Sequence, residues 1–148
     1  MRDVRTILLA EDSPKDAELT MTALEQHNLA NKVVWVRDGA ETLDYMYRRG
    51  EYANRERGNP AVILLDLKMP KVDGMQALRT IRNDPDLKMT PVVILTSSRE
   101  ERDLIEGYSL GVNAYVVKPV RFAEFVDAVA QLGAFWAIVN EPPPNTAR

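Results

Sequence analysis

The sequence predicts an α/β fold: a doubly wound, five-stranded parallel sheet with helices on both faces. Strand-like apolar runs alternate with helix-like stretches five times along the chain. Parallel neighbours need a crossover, and the helical stretches supply it. The strand runs are also apolar without interruption, as in Ile7-Leu8-Leu9-Ala10, Val62-Ile63-Leu64-Leu65 and Val92-Val93-Ile94-Leu95. Unbroken runs suit strands buried on both sides. At 148 residues the chain is the size of one domain. It divides into a folded part over residues 1–140 and a Pro-rich tail over 141–148.

Residues 4–10 read as the first strand. Asp12-Ser13-Pro14 then offers a cap residue and a proline suited to a first helical turn. Ala17, Leu19, Met21, Ala23 and Leu24 carry the helix, which fades near Asn28. Val33-Val34-Trp35-Val36 is the second strand, and Arg37-Asp38-Gly39 a turn. Ala40, Leu43, Tyr45, Met46 and Tyr47 suit a helix ending at Gly50. Residues 51–60 are charged and read as the longest irregular loop. Residues 61–66 form the third strand. Met75, Leu78 and Ile81 recur every three residues and mark a helix, which Asn83-Asp84-Pro85 stops. Residues 91–96 are the fourth strand. Leu104, Ile105, Tyr108 and Leu110 mark a helix closed by Gly111. Residues 114–117 are the fifth strand. Phe122, Phe125, Val126, Val129, Leu132 and Trp136 line the last helix.

Composition narrows the function. A net charge of −3 and a pI near 5.3 disfavour a broad nucleic-acid-binding surface. The absence of cysteine excludes disulfides and thiolate metal sites, and fits a reducing cytoplasm. No apolar run reaches the ~20 residues that a membrane span needs. The run after Met1-Arg2-Asp3-Val4-Arg5-Thr6 is too short for a signal peptide.

The chemistry sits at strand ends. Asp66 ends the third strand, Glu11-Asp12 follow the first, Thr96 ends the fourth and Lys118-Pro119 follow the fifth. Ligands of such sheets bind beyond the carboxyl ends of the strands. Three carboxylates at one point are tolerable when a divalent cation sits between them. Mg2+ takes one or two carboxylates plus phosphate oxygens, and Mn2+ could substitute. Asp12 and Asp66 read as direct ligands, Glu11 as a ligand through water, and the Lys68 backbone carbonyl as a further contributor. Ser13 can cap the helix and leave Asp12 to the metal. A carboxylate beside the metal can attack a phosphoryl group and become an aspartyl phosphate. Lys118 would meet a phosphoryl oxygen as a point charge, Thr96 would donate a hydrogen bond, and small Ser97 leaves room for the donor.

These motifs resemble the receiver domain of two-component response regulators, over residues 6–136. The resemblance implies a flavodoxin-like fold and phosphorylation of Asp66 by a sensor histidine kinase. It also implies Glu11 and Asp12 as the acidic pair, Thr96 as switch hydroxyl, Tyr115 as switch aromatic, and a cis Lys118–Pro119 bond. Such a protein catalyses only its own phosphorylation and slow dephosphorylation. Residues 51–60, residues 83–88 and Phe135-Trp136 are similar to single-domain regulators that partner bacterial phytochrome kinases and form homodimers. A non-phytochrome histidine kinase is the alternative upstream partner.

Phe135-Trp136-Ala137-Ile138-Val139 is apolar on more than one helical face, which suits a homodimer contact. The stretch after Trp136 is too short for a DNA-binding output domain. Signalling is therefore expected through protein partners, dimerisation or phosphate relay. Residues 99–103 are charged, on an element receivers use to signal. His27, the sole histidine, is expected to be exposed, and argues against the chain being its own kinase. An alternative is a phosphatase of the haloacid dehalogenase type, which needs a second Asp two residues after its nucleophile. Lys68 occupies that position. A phosphate-independent scaffold is a third reading. Lys68 and Ser98 flank the expected path of hydrolytic water and should influence phosphate lifetime.

Overall fold

The computed structural model describes residues 2–26, 32–67, 74–97 and 114–132. Five strands form one sheet: β1 (Arg2–Ala10), β2 (Lys32–Val36), β3 (Asn59–Asp66), β4 (Val92–Thr96) and β5 (Tyr115–Val117). Every pairing is parallel, and the order across the sheet is β2-β1-β3-β4-β5. Four helices are described: α1 (Pro14–Glu25), α2 (Gly39–Tyr47), α3 (Gly74–Asn83) and α4 (Phe122–Gln131).

The unbroken apolar strands divide into two cores by the alternation of side chains across a sheet. Ile7, Leu9, Val62, Leu64, Val93 and Leu95 face one side, with Ala17 and Leu24 of α1 and Phe125 and Val129 of α4. Leu8, Ala10, Ile63, Leu65, Val92 and Ile94 face the other, with Leu43 and Met46 of α2 and Ala77, Leu78 and Ile81 of α3. The first connections run from β1 outward to β2, then back across β1 to β3. This reversal puts α1 and α2 on opposite faces.

Local chemistry sets the helix ends. Ser13 caps α1 through its hydroxyl, which accepts from the Asp16 N–H at 3.2 Å, and Pro14 opens the helix. Asp38 caps α2 and accepts from the Glu41 N–H at 2.7 Å. α2 stops at Tyr47, short of Gly50, because Arg48 turns left-handed with φ 56°. Gly50 instead opens a 3-10 turn, Gly50–Tyr52.

Residues 51–60 are more ordered than a charged loop suggests. The Arg55 guanidinium lies 4.1 Å over the Tyr45 ring and donates to the carbonyls of Tyr45, Glu56 and Gly58. One planar fork thus replaces the hydrogen bonds a regular element would make. Asn59 and Pro60 already belong to β3. β2 is an edge strand with half-buried Val33, Val34 and Trp35, so its apolar run overstated its burial. The helix expected over 104–110, Gly111, His27 and the tail at 141–148 lie outside the described residues.

Gly74 opens α3 against the end of β3. Its N–H donates to the Leu67 carbonyl at 3.2 Å, and a Cβ there would overlap the backbone of Asp66 and Leu67. Gly74→Ala should therefore cost about 1–3 kcal/mol by overpacking. Urea denaturation should show a lower midpoint with unchanged slope. An unchanged midpoint would contradict this close approach.

Candidate functional site

Register brings the strand ends to one level. Ala10 pairs with Leu65, so Glu11 follows beside Asp66. Asp66 pairs with Leu95, and Thr96 with Val117, so Thr96 and Lys118 come next in line. The ladder continues past the strands: the Lys118 N–H donates to the Thr96 carbonyl at 2.8 Å, and the Glu11 N–H to the Val36 carbonyl at 3.0 Å. The site lies at the reversal of strand order between β1 and β3, where such sheets open a crevice.

Glu11, Asp12 and Asp66 each offer a carboxylate oxygen, and these oxygens lie within 4.8 Å of one another. Glu11 and Asp66 are buried, whereas Asp12 is exposed. One ammonium stands against this charge. Lys118 Nζ lies 2.7 Å from Asp66 Oδ2 and 2.6 Å from Glu11 Oε1, the latter an ion pair that departs from hydrogen-bond geometry. Asp16 Oδ2 stands 3.3 Å from the same nitrogen. Burial pushes the Glu11 carboxyl up to about 7, against the pull of Lys118 and of the Ser13 N–H at Oε2, with Asp66 adding repulsion. Burial also disfavours the Lys118 ammonium, but the hydrogen bond to Asp66 and the adjoining Glu11 carboxylate outweigh it and hold Lys118 above the usual lysine range. Among the described residues one lysine faces three carboxylates, which leaves the cluster short of positive charge. A hard, oxygen-seeking divalent cation suits this donor set.

Thr96 is fully buried, and its hydroxyl finds no hydrogen-bond partner among the described residues. Such a group is costly unless an acceptor arrives. Tyr115 is half-buried at the rim of the α2–α3 core. The Lys118–Pro119 peptide bond is cis. The structure thus brings together Glu11, Asp12, Asp66, Thr96 and Lys118. Lys68, Ser98, Phe135, Trp136 and residues 99–103 lie outside the described residues.

Three contributors escaped sequence reasoning. The Trp35 indole N–H donates to the Glu11 carbonyl at 2.7 Å, with the Arg37 guanidinium 4.8 Å from its ring, and so pins the backbone of the acid pair. No local pattern links residues 24 apart; only the β1–β2 register does. Asp16 had one signal, its place in the first turn of the helix that follows the acid pair. Gly74 had none, because its role depends on where α3 meets β3.

The sequence profile of the response regulator receiver domain matches residues 7–130. Response regulator Rcp1 of Synechocystis sp. is 39% identical over 132 residues, covering 89% of this chain and 88% of that protein. The solved structure of the bacteriophytochrome response regulator AtBRR is similar at 59% identity and TM-score 0.88, covering 93% of this chain and 98% of that one. A Mn2+-bound form of Rcp1 superposes with TM-score 0.71 at 36% identity, over 95% of this chain and 99% of that one. The phosphorylated cyanobacterial phytochrome response regulator RcpA does so with TM-score 0.70 at 40% identity, over 89% and 93%. The chain belongs to the response regulator receiver domain family, whose members are signalling proteins that bind a divalent metal and answer to a histidine kinase.

Proposed function

We propose that Asp66 accepts a phosphoryl group from the phosphohistidine of a sensor histidine kinase, and that the modified protein signals through protein partners or phosphate relay. The observation that carries this is the Asp66 carboxylate at the end of β3, paired to Lys118 and flanked by Glu11 and Asp12. A carboxylate oxygen of Asp66 attacks phosphorus. The bond from phosphorus to the imidazole nitrogen breaks, and nitrogen keeps the electron pair. Asp66 is a carboxylate, so no base need remove a proton from it.

Asp12 and Asp66 would hold Mg2+, with Glu11 through water and the Lys68 backbone carbonyl as further donors. The cation would supply neutralisation of the phosphoryl group's charge. Lys118 turns from the carboxylates toward a third oxygen. The buried Thr96 hydroxyl gains an acceptor, and Tyr115 moves with it as the aromatic part of the switch. Binding and modification act by shifting an existing equilibrium. The likeness to AtBRR supports a bacterial phytochrome as the upstream kinase. A homodimer through Phe135 and Trp136 follows from their apolar pattern. No described helix is long and apolar enough to cross a membrane.

Incubation with Mg2+ and a small phosphodonor should label the wild-type protein and leave Asp66→Asn at background. Equal labelling of Asp66→Asn would remove Asp66 as acceptor. Lys118→Ala should bind Mg2+ yet take up phosphate at least about tenfold more slowly, because a charge-stabilising donor is lost. An unchanged rate would exclude Lys118 from the transfer.

The raised pKa of Glu11 sets a pH dependence. In metal-free protein the folded state holds this proton more tightly than the unfolded chain. The group therefore stabilises the fold most below its ordinary value of 4.5, and that contribution is lost as pH rises to about 7. Cation and proton compete for the same carboxylate. Mg2+ affinity by calorimetry should thus rise about tenfold between roughly pH 6 and pH 8. Glu11→Gln should flatten the rise. A flat wild-type profile would contradict the role of Glu11.

A further inference from the structure

An ammonium has three N–H donors, and Lys118 meets three carboxylates: Glu11 at 2.6 Å, Asp66 at 2.7 Å and Asp16 at 3.3 Å. The third partner comes from outside the strand-end cluster. Asp16 stands in the first turn of α1, where the helix dipole favours an acid. Its backbone is fixed by the Ser13 cap and by the burial of Ala17 next to it. With Lys118, Leu19, Ser97 and Pro119 it lines a solvent-open cleft of 460 Å³ beside the site.

Lys118 donates hydrogen bonds to Asp66 and Asp16 and is ion-paired with Glu11, so a phosphoryl oxygen arriving there competes with these carboxylates for its charge. Glu11 is 1% exposed, and its second oxygen is already held by the Ser13 N–H. Asp66 is the residue being modified. Asp16 makes the longest of the three contacts and its side chain is 40% exposed, so water can replace Lys118 there at least cost.

We propose that Asp16 is a positioning residue that holds one donor of Lys118 in the unmodified protein, releases it to the phosphoryl group, and thereby slows phosphorylation. This rests on the reading of Asp66 as acceptor. In the transfer the bond from phosphorus to the donor's leaving atom breaks, that atom keeps the electron pair, and an Asp66 oxygen bonds to phosphorus. Asp16 takes no part in these bonds; it sets how readily Lys118 can turn.

The test compares wild type, Asp16→Asn, Asp16→Glu and Asp66→Asn with Mg2+ and two phosphodonors, a doubly charged acyl phosphate and the singly charged phosphoramidate. The Ser13 cap accepts from the backbone of residue 16, so each variant keeps it. A partly exposed ion pair is weak. Asp16→Asn should therefore label about two- to fivefold faster with both donors, and Asp16→Glu at the wild-type rate. Beryllium fluoride should bind Asp16→Asn more tightly by a similar factor, with thermal stability unchanged. A rate at or below wild type overturns the proposal. So does a gain confined to the doubly charged donor, which would mark simple repulsion. Wild type that takes no label, or Asp66→Asn that labels equally, brings down the acceptor reading itself and this inference with it.

Discussion

The first strand of the chain lies inside the sheet, not at its edge. β1 lies between β2 and β3, and the chain must wind outward to one side before crossing to the other. That reversal parts the connecting segments at the carboxyl ends of β1 and β3, the two strands that carry Glu11-Asp12 and Asp66. In-register parallel pairing then leaves no freedom: a carboxylate after Ala10 and another after Leu65 must sit side by side. Everything at the site follows from this. Like charges are forced together at the edge of an apolar core, and the only remedies are an ammonium, a cation or a proton.

The structure shows the ammonium in place and the pull toward a proton. Lys118 is held by Glu11 and Asp66 strongly enough to stay charged despite its burial. It still does not balance the cluster, and Glu11 retains a raised pKa. Among the described residues the Thr96 hydroxyl has no hydrogen-bond partner, and a buried donor without an acceptor typically costs about 1–3 kcal/mol. On the proposed reading, a cation and a phosphoryl group would relieve both imbalances. A site left deficient in this way is poised to respond, since a ligand shifts an equilibrium only by its differential interaction with the two states.

Much of this was legible in the chain. Asp66, Thr96 and Lys118 stand at the ends of apolar runs, and strand register does the rest. Gly50 misled as a helix end, because Arg48 adopts the left-handed turn itself. Residues 51–60 read as structureless because their order comes from one guanidinium gathering distant carbonyls, which leaves no periodic trace. β2 is apolar yet only half-buried, because an edge strand can be as apolar as a central one. The partners of Trp35 and Asp16 were illegible for a shared reason. Each acts on a residue far away in sequence, through a contact created only when β2 or α1 docks beside β1.

The most direct measurement is to find where the phosphoryl group goes. Borohydride reduces an aspartyl phosphate to homoserine, and peptide mass spectrometry then locates the changed residue. After reaction with phosphodonor and Mg2+, the change should fall on Asp66 alone, and on none of Asp12, Glu11 or Asp16. Reduction at another carboxylate, with Asp66 intact, would contradict the assignment of the β3 end as the phosphoacceptor.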